Sequence, residues 1–410
     1  MQYDVFFSIS QTPVDGEMPS ESEMLRAFFE QVQAADDLGF GVAWVAESHL
    51  STQAQKKGRH SVVPYWQGEI GLNVDICQLA HQVFTRTRRI EVGSAVMNLL
   101  SNGGPIAAAE RIAYFVALHG LDPEETRRLH VGFSAGRFDF MNRAYGITPR
   151  TEWEESGWPA VRHKVFTQAT EIFLRLLRGD ELDSSMLEVQ HLSVDDFPSL
   201  ERWEAVQRAA GHQAPAYRIE PRYVFEPLRI VPATWRRELL QLVIGTHDPE
   251  LQITANRWLP VQVFNLSLTP PQTIEETHRR MEEHYRGDWQ RGYMPRTGLV
   301  FINDEPGLDE AQRAAEASRE AERALGAYWT ALEGTISPER LSGATDNALI
   351  GTVDAIAEQI GNRFHPDDRL MLWFDFFNHD CARVMRNMRA FAERVMPRVE
   401  QRFTAAKHVP

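Results

Sequence analysis

Eight short apolar or β-branched runs, each followed by an amphipathic helical pattern, constrain the fold of this chain more than any other feature. Strands that alternate with helices pair in parallel, because each helix returns the chain to the edge where the next strand begins. The runs are Tyr3–Ser8, Val42–Ala46, Ile90–Ala95, Leu129–Phe133, Leu240–Ile244, Val261–Leu266, Gly298–Ile302 and Arg369–Phe374. The helical patterns are Ser22–Leu38, Asn73–Thr85, Pro105–Leu118, His163–Arg178, Pro249–Trp258, Thr273–Tyr285, Asp309–Leu332 with Val353–Gly361, and Cys381–Val395. Eight such units closed on themselves make a (β/α)8 TIM barrel, an α/β fold. Boundary residues agree: Ser20 or Ser22 is placed to cap the first helix, Gly39 to end it, and Thr352 to cap the helix at Val353. No G-x-G-x-x-G follows the first strand, which argues against a dinucleotide-binding open sheet. The 410 residues, 43% of them hydrophobic, suffice for one large core, and no linker-like stretch divides them, so 1–410 reads as a single domain.

Two stretches break the repeat, about 51–72 and about 179–237; the second is too long for an ordinary connection. Both are read as long insertions in βα connections, at the C-terminal ends of strands where barrel active sites are built, and therefore as lid or pocket elements.

Charge and motif content narrow the function. Forty-three Lys+Arg against 57 Asp+Glu give a formal net charge of −14, the wrong sign for a nucleic-acid partner. No apolar run approaches the roughly 20 residues that span a bilayer, and Met1–Ser8 lacks the pattern of a signal peptide, so no membrane partner and a cytoplasmic location are expected. Cys77 and Cys381 are the two cysteines, read as reduced, buried thiols. There is no H-E-x-x-H, G-x-S-x-G or P-loop, the 14 histidines show no ligand spacing, and no metal is expected. The adjacent pairs Glu154-Glu155 and Asp195-Asp196 are read as solvated acidic surface.

Four strand ends carry residues suited to a site. Glu47-Ser48-His49 follows the second strand, where an imidazole next to a carboxylate and a hydroxyl can move a proton; by residue type alone His49 is equally an ordinary loop residue. Ala95-Val96-Met97-Asn98 ends the third strand in small and apolar groups that suit a flat aromatic ligand or simple packing. Ser134-Ala135-Gly136-Arg137 ends the fourth with close backbone approach and a guanidinium, or with a plain turn. Thr246-His247-Asp248 opens a helix whose N-terminus attracts anions, or merely caps it.

In order and spacing, the segments Leu38–His49, Thr87–Val96 and Arg128–Arg137, with Ile350–Ala357, Leu370–Asp375 and Phe391–Pro397 further on, resemble the bacterial luciferase-like flavin-dependent monooxygenase family. The resemblance spans most of the chain and fails chiefly in the two irregular stretches. It implies a (β/α)8 barrel that binds FMN as FMNH2 at its C-terminal face, uses O2 as cosubstrate through a flavin hydroperoxide, and oxygenates an apolar or aromatic organic substrate. The missing dinucleotide fingerprint implies a separate NAD(P)H-flavin reductase as donor of reduced flavin, and the family implies a homodimer. Carried over by position, Glu47 matches the family's carboxylate after the second strand and His49 the second histidine of its Glu-His-His run. Ser48 stands in place of the first, which is the catalytic base of the luciferases, so aldehyde luminescence is in doubt and His49 becomes the expected proton handler. Ala95-Val96 falls where the family often has a non-prolyl cis peptide under the isoalloxazine, with Met97 and Asn98 beside the ring. Ser134 replaces the luciferases' reactive cysteine and Ala135 an arginine for which Arg137, near Gly136, can substitute. Thr246 and His247 match the phosphate loop. Two alternatives belong to the same barrel: a deazaflavin-dependent hydride-transfer oxidoreductase, and a non-catalytic flavin-binding partner subunit.

Overall fold

The computed structural model describes residues 1–51, 68–265, 269–332 and 347–406. Strands β1 (Gln2–Phe7), β2 (Val42–Val45), β3 (Glu91–Asn98), β4 (Leu129–Ser134), β7 (Leu240–Ile244), β8 (Val261–Val263), β9 (Arg296–Ile302) and β11 (Arg369–Trp373) are the eight expected runs, shifted by a few residues at their ends. They pair in parallel in the order β9-β11-β1-β2-β3-β4-β7-β8. A parallel bridge from Asn265 to Arg296, with the Thr297 hydroxyl donating to the Asn265 carbonyl at 2.9 Å, joins β8 to β9 and closes the ring. Side chains confirm the closure. Trp44 on β2 meets Phe264, just past β8, with ring centroids 5.8 Å apart, although four steps of the sheet separate those strands. Only a lumen brings them together. One short strand, β10 (Leu349–Gly351), extends the pairing of β9 and lies outside the expected set; three residues bounded by Thr352 are too few to leave a period in the sequence.

Alternation along each strand separates two apolar regions. Phe6, Val42, Trp44, Val243, Phe264 and Met371 fill the lumen, while the residues between them, such as Val5, Ala43, Val45 and Leu372, pack outward under the helices. Below the apolar lumen lies a charged floor: Asp4 accepts the Trp44 indole N–H at 2.8 Å, and Glu91 holds His130 at 2.5 Å and Arg128 at 2.9 Å. The helix Glu21–Leu38 starts at a capping box between Ser20 and Glu23 and stops at left-handed Gly39. Near its end Asp36 accepts the backbone N–H groups of Arg88, Arg89 and Ile90 at 2.7–2.9 Å, which fixes the entry of β3.

The second insertion is not where the sequence reading put it. It follows the helix Trp158–Arg178, so it hangs from the αβ connection at the opposite end of the barrel, where Arg236 donates to Asp122 O and Arg237 to Arg178 O. Its antiparallel strands β5 (His191–Ser193) and β6 (Ala216–Arg218), with the helix Leu200–Ala210 between them, climb the outer wall. The far end reaches the C-terminal rim, where the Tyr223 ring packs on Gly104. A segment that follows a helix and leads into the strand Leu240–Ile244 starts at the N-terminal end of the barrel, whatever its length. Glu154 also corrects the reading. It is 2% exposed and bound to Arg222, 1% exposed, at 2.6 Å, because the short helix Glu152–Ser156 turns this carboxylate inward against the insertion and leaves Glu155 outside. The thiols are free, but each is only partly buried. Of the first insertion, 52–67 lie outside the described residues; residues 68–72 are strapped to the loop after β1 through Gln11 and Ser10.

Candidate active site

At the C-terminal rim the lumen row runs through Ala46 after β2, Ala95 and Val96 in β3, Ser134 after Gly132 in β4, Gly245 after Val243, and Trp373 in β11. These groups are small, except for the indole, and they form the floor of the mouth over the apolar lumen. The Ala95–Val96 peptide is cis, and the register of β3 against β4 shifts between Ser94 and Met97. Three glycines let the floor close up. A Cβ on Gly132 would stand 2.2 Å from Ser94 O and 2.8 Å from Val96 Cγ1, one on Gly136 2.3 Å from Asn98 Nδ2, and one on Gly245 3.3 Å from Ser134 Cβ. Gly132→Ala is therefore expected to cost about 1–3 kcal/mol in denaturant unfolding, as an overpacked core does, with Gly245→Ala costing less.

The residues singled out in the sequence divide into those that face the mouth and those that back it. Glu47 and His49 bond to each other at 3.0 Å, both buried. The alternation that sets Ala46 toward the mouth turns this pair toward the helix Ile76–Phe84, where Glu47 acts on Cys77. There burial and the charges of Asp75 and Glu47 hold the Cys77 thiol well above its ordinary range. The second Glu47 oxygen is buried without a partner among the described residues. Met97 packs in the outer core, so it supports the floor from behind. Asn98 donates to Asn142 at 2.7 Å and accepts from Leu100 N at 3.0 Å, and Asn142 in turn donates to Ala135 O at 3.0 Å. That amide pair ties the ends of β3 and β4 together, and the sequence offered no signal for it. Ser134 accepts from Gly136 N at 3.2 Å. Arg137 lies over the Phe138 ring and against the Tyr328 hydroxyl, which belongs to the helix Glu310–Leu332.

The helix Pro249–Trp258 takes Asp248 as its cap, the Asp248 carboxylate accepting Glu250 N at 2.9 Å. Burial opposes ionisation of Asp248, but His163 at 2.6 Å and the helix N–H groups win, holding its carboxyl below the usual range. The first-turn donors are thus already used. The polar groups left in that loop are the Thr246 hydroxyl, which accepts Asp248 N at 3.2 Å, and His247, 3.2 Å from the Thr269 hydroxyl. Among the described residues no group of three or more His, Cys, Asp or Glu side chains is arranged to hold a metal, and no helix is long and apolar enough to cross a membrane.

The chain is a closed parallel α/β barrel with glycine-lined strand ends at its C-terminal rim, and comparison with known proteins gives its family. This chain belongs to the luciferase-like monooxygenase family, whose model matches residues 1–365. Among solved structures it is similar to the monooxygenase RslO1 from Streptomyces bottropensis, with 18% identity, a TM-score of 0.65 and coverage of 97% of this chain and 99% of that one. It is also similar to the oxygenating constituent of 3,6-diketocamphane monooxygenase from the CAM plasmid of Pseudomonas putida, solved with FMN, at 13% identity, a TM-score of 0.57 and coverage of 97% and 98%. An F420-dependent secondary alcohol dehydrogenase shares the fold at 13% identity and a TM-score of 0.55, with coverage of 97% and 98%. No curated protein matches the sequence.

Proposed function

We propose that this chain is the oxygenating component of a two-component monooxygenase that takes reduced FMN from a separate NAD(P)H-flavin reductase and oxygenates an apolar or aromatic substrate. The observation that carries this reading is the floor at Ala95–Val96: small groups closed up by Gly132 and Gly245 above an apolar lumen suit a planar ring. When bound, reduced FMN supplies the electrons that activate O2 for insertion into the substrate. The protein's part is to seat the ring on Ala95 and Val96, to meet the phosphate with Thr246 and His247 outside the helix turn that Asp248 fills, and to hold a proton on the Glu47–His49 pair behind Ser48. The FMN-bound and F420-dependent neighbours make hydride transfer to or from a deazaflavin the second reading. Exposed Tyr114, Leu118 and Leu121, at the end of the helix Gly104–His119 and just beyond it, support a homodimer.

The test mixes the purified chain with photoreduced FMN, 18O2 and a panel of aromatic and aliphatic ketones and phenols. Expected are FMN binding, label in one product, and no reduction of FMN by NAD(P)H until a flavin reductase is added. Reduction by NAD(P)H alone would remove the two-component assignment. Flavin binding without labelled product from any substrate would favour the partner-subunit reading, and turnover with reduced F420 alone the hydride-transfer reading.

A further inference from the structure

One carboxyl at the rim leaves a buried oxygen without a hydrogen bond among the described residues. β11 faces the lumen with Met371 and Trp373 and the outer core with Leu370, Leu372 and Phe374, so the same alternation brings Asp375 to the lumen side just above Trp373. Asp375 also lines a cleft of about 990 Å3 between the loop after β1, the helix Glu21–Leu38 and the segment after β11, with Ile9, Met24, Phe28 and Phe377 as its apolar wall. The carboxyl therefore stands in the partition between barrel mouth and cleft. Its Oδ1 is buried and accepts no hydrogen bond from any described residue, and the neighbouring Trp373 indole N–H donates none of normal geometry. Burial pushes this carboxyl up to about 7, opposed only by its own backbone N–H and the Trp373 indole.

The charged groups that face the cleft leave this balance alone. Asp15 and Glu17 come from the loop after β1, Glu23, Arg26 and Glu30 from the helix Glu21–Leu38, Glu320 and Arg323 from the helix Glu310–Leu332, and His379, Asp380 and Arg383 from the segment after β11. Arg323 is bound to Asp15 at 3.1 Å and Arg383 to Glu320 at 2.5 Å. Arg26 reaches Ser22, and His379, its charged form disfavoured by burial, bonds Thr12 O at 2.5 Å. Each of these cations is held by another group, and no described residue bonds Asp375 Oδ1.

We propose that Asp375 is the proton donor of the barrel mouth, recharged from solvent in the cleft. For the reaction it serves, this rests on the monooxygenase reading; for proton exchange across the partition it rests on the geometry alone. Insertion of one atom of O2 into RH with anionic reduced flavin as the two-electron donor, giving ROH, oxidised flavin and water, consumes one further proton. In the step assigned here the Asp375 O–H bond breaks, its electron pair stays on the carboxylate, and the proton joins the oxygen that leaves as water. Cleft water then returns a proton to the carboxylate.

The first test needs no cofactor. Infrared difference spectra of the full chain across neutral pH are expected to show a protonated-carboxyl carbonyl band that fades with a midpoint near 7 in the wild type and is missing from Asp375→Asn. Asp4 and Glu320, also raised by burial, are present in both proteins and cancel. A band that the variant keeps, or one that titrates in the ordinary carboxylate range, would overturn the proposal. With a substrate in hand, kcat of the wild type should fall as pH rises through the same midpoint. Asp375→Asn should lose about tenfold or more at neutral pH and flatten that limb without weakening FMN binding, while Asp375→Glu should retain it. An unmoved pH profile in Asp375→Asn sinks the donor role and leaves the monooxygenase reading intact. Absence of oxygenation in the wild type sinks that reading instead, and the infrared titration still decides on the group.

Discussion

Replacing His49 with alanine is expected to lower kcat/KM on the order of 100- to 10,000-fold, the range over which positioned acid–base groups contribute to catalysis. The physical reason is the isolation of the Glu47–His49 pair. Both side chains are buried, they are bonded at 3.0 Å, and the carboxylate has no other partner among the described residues, so the imidazole is oriented by one contact and shielded from bulk water. Ser48 lies between them in sequence, buried and bonded through its backbone N–H to Asn73 O, and its hydroxyl would be the relay if His49 exchanges a proton with the site. Three variants separate the possible roles. His49→Gln keeps a donor to Glu47 and cannot change charge, so it should be as slow as His49→Ala if proton transfer is what matters. Ser48→Ala should show a comparable loss if the hydroxyl relays. His49→Ala should also lose about 1–3 kcal/mol of stability, because it strands a buried carboxylate. Stopped-flow turnover and denaturant unfolding read the two effects apart, and a variant that loses stability but keeps kcat would show the pair to be structural.

The barrel was legible because its evidence is periodic. Each βα unit repeats the same switch from period 2 to period 3.6, and local capping at Ser20, Gly39 and Thr352 agrees with it. The rim was legible where residues are contiguous with a strand: Ala46, Ala95, Ser134 and Gly245 fall in the lumen phase of strands read from the sequence, while Val96 joins them only because the register of β3 shifts there. The limits were of three physical kinds. Which side of the rim a residue faces depends on the strand's phase, and carrying the lumen phase of Val42 and Trp44 forward by two and four residues would have turned Glu47 and His49 outward. The same count from Met371 would have singled out Asp375. Partnerships across long separations, such as Asn98 with Asn142 or Glu154 with Arg222, leave no local signal, since an acidic pair in a polar loop looks the same whether or not an arginine 68 residues later covers it. Finally, a helix N-terminus advertises anion binding in any sequence, but whether its own cap fills it is decided by the geometry of one side chain, here Asp248.

Arg222→Ala should destabilise the protein by about 3–5 kcal/mol, the cost of leaving one member of a buried ion pair behind. Among the described residues the Glu154 carboxylate would keep the Arg150 N–H, at 2.6 Å, with its side chain 2% exposed. Removing both charges together, as Glu154→Leu with Arg222→Met, should restore most of that loss, because burial of two charges is itself expensive and apolar groups of similar size can replace the pair. The combination also asks what the insertion does. Arg222 sits next to Tyr223, whose ring covers Gly104 behind the end of β3, so the ion pair pins the climbing segment to the rim that carries the floor. In the apolar double variant the pin is kept by packing. In Arg222→Ala it is released while the barrel beneath, whose strands it does not touch, stays closed. If the insertion covers the mouth, Arg222→Ala should release reduced flavin faster and waste O2 as hydrogen peroxide, and the double variant should behave like the wild type in both. Equal coupling of oxygen use to product in all three proteins would show the segment to be wall packing alone.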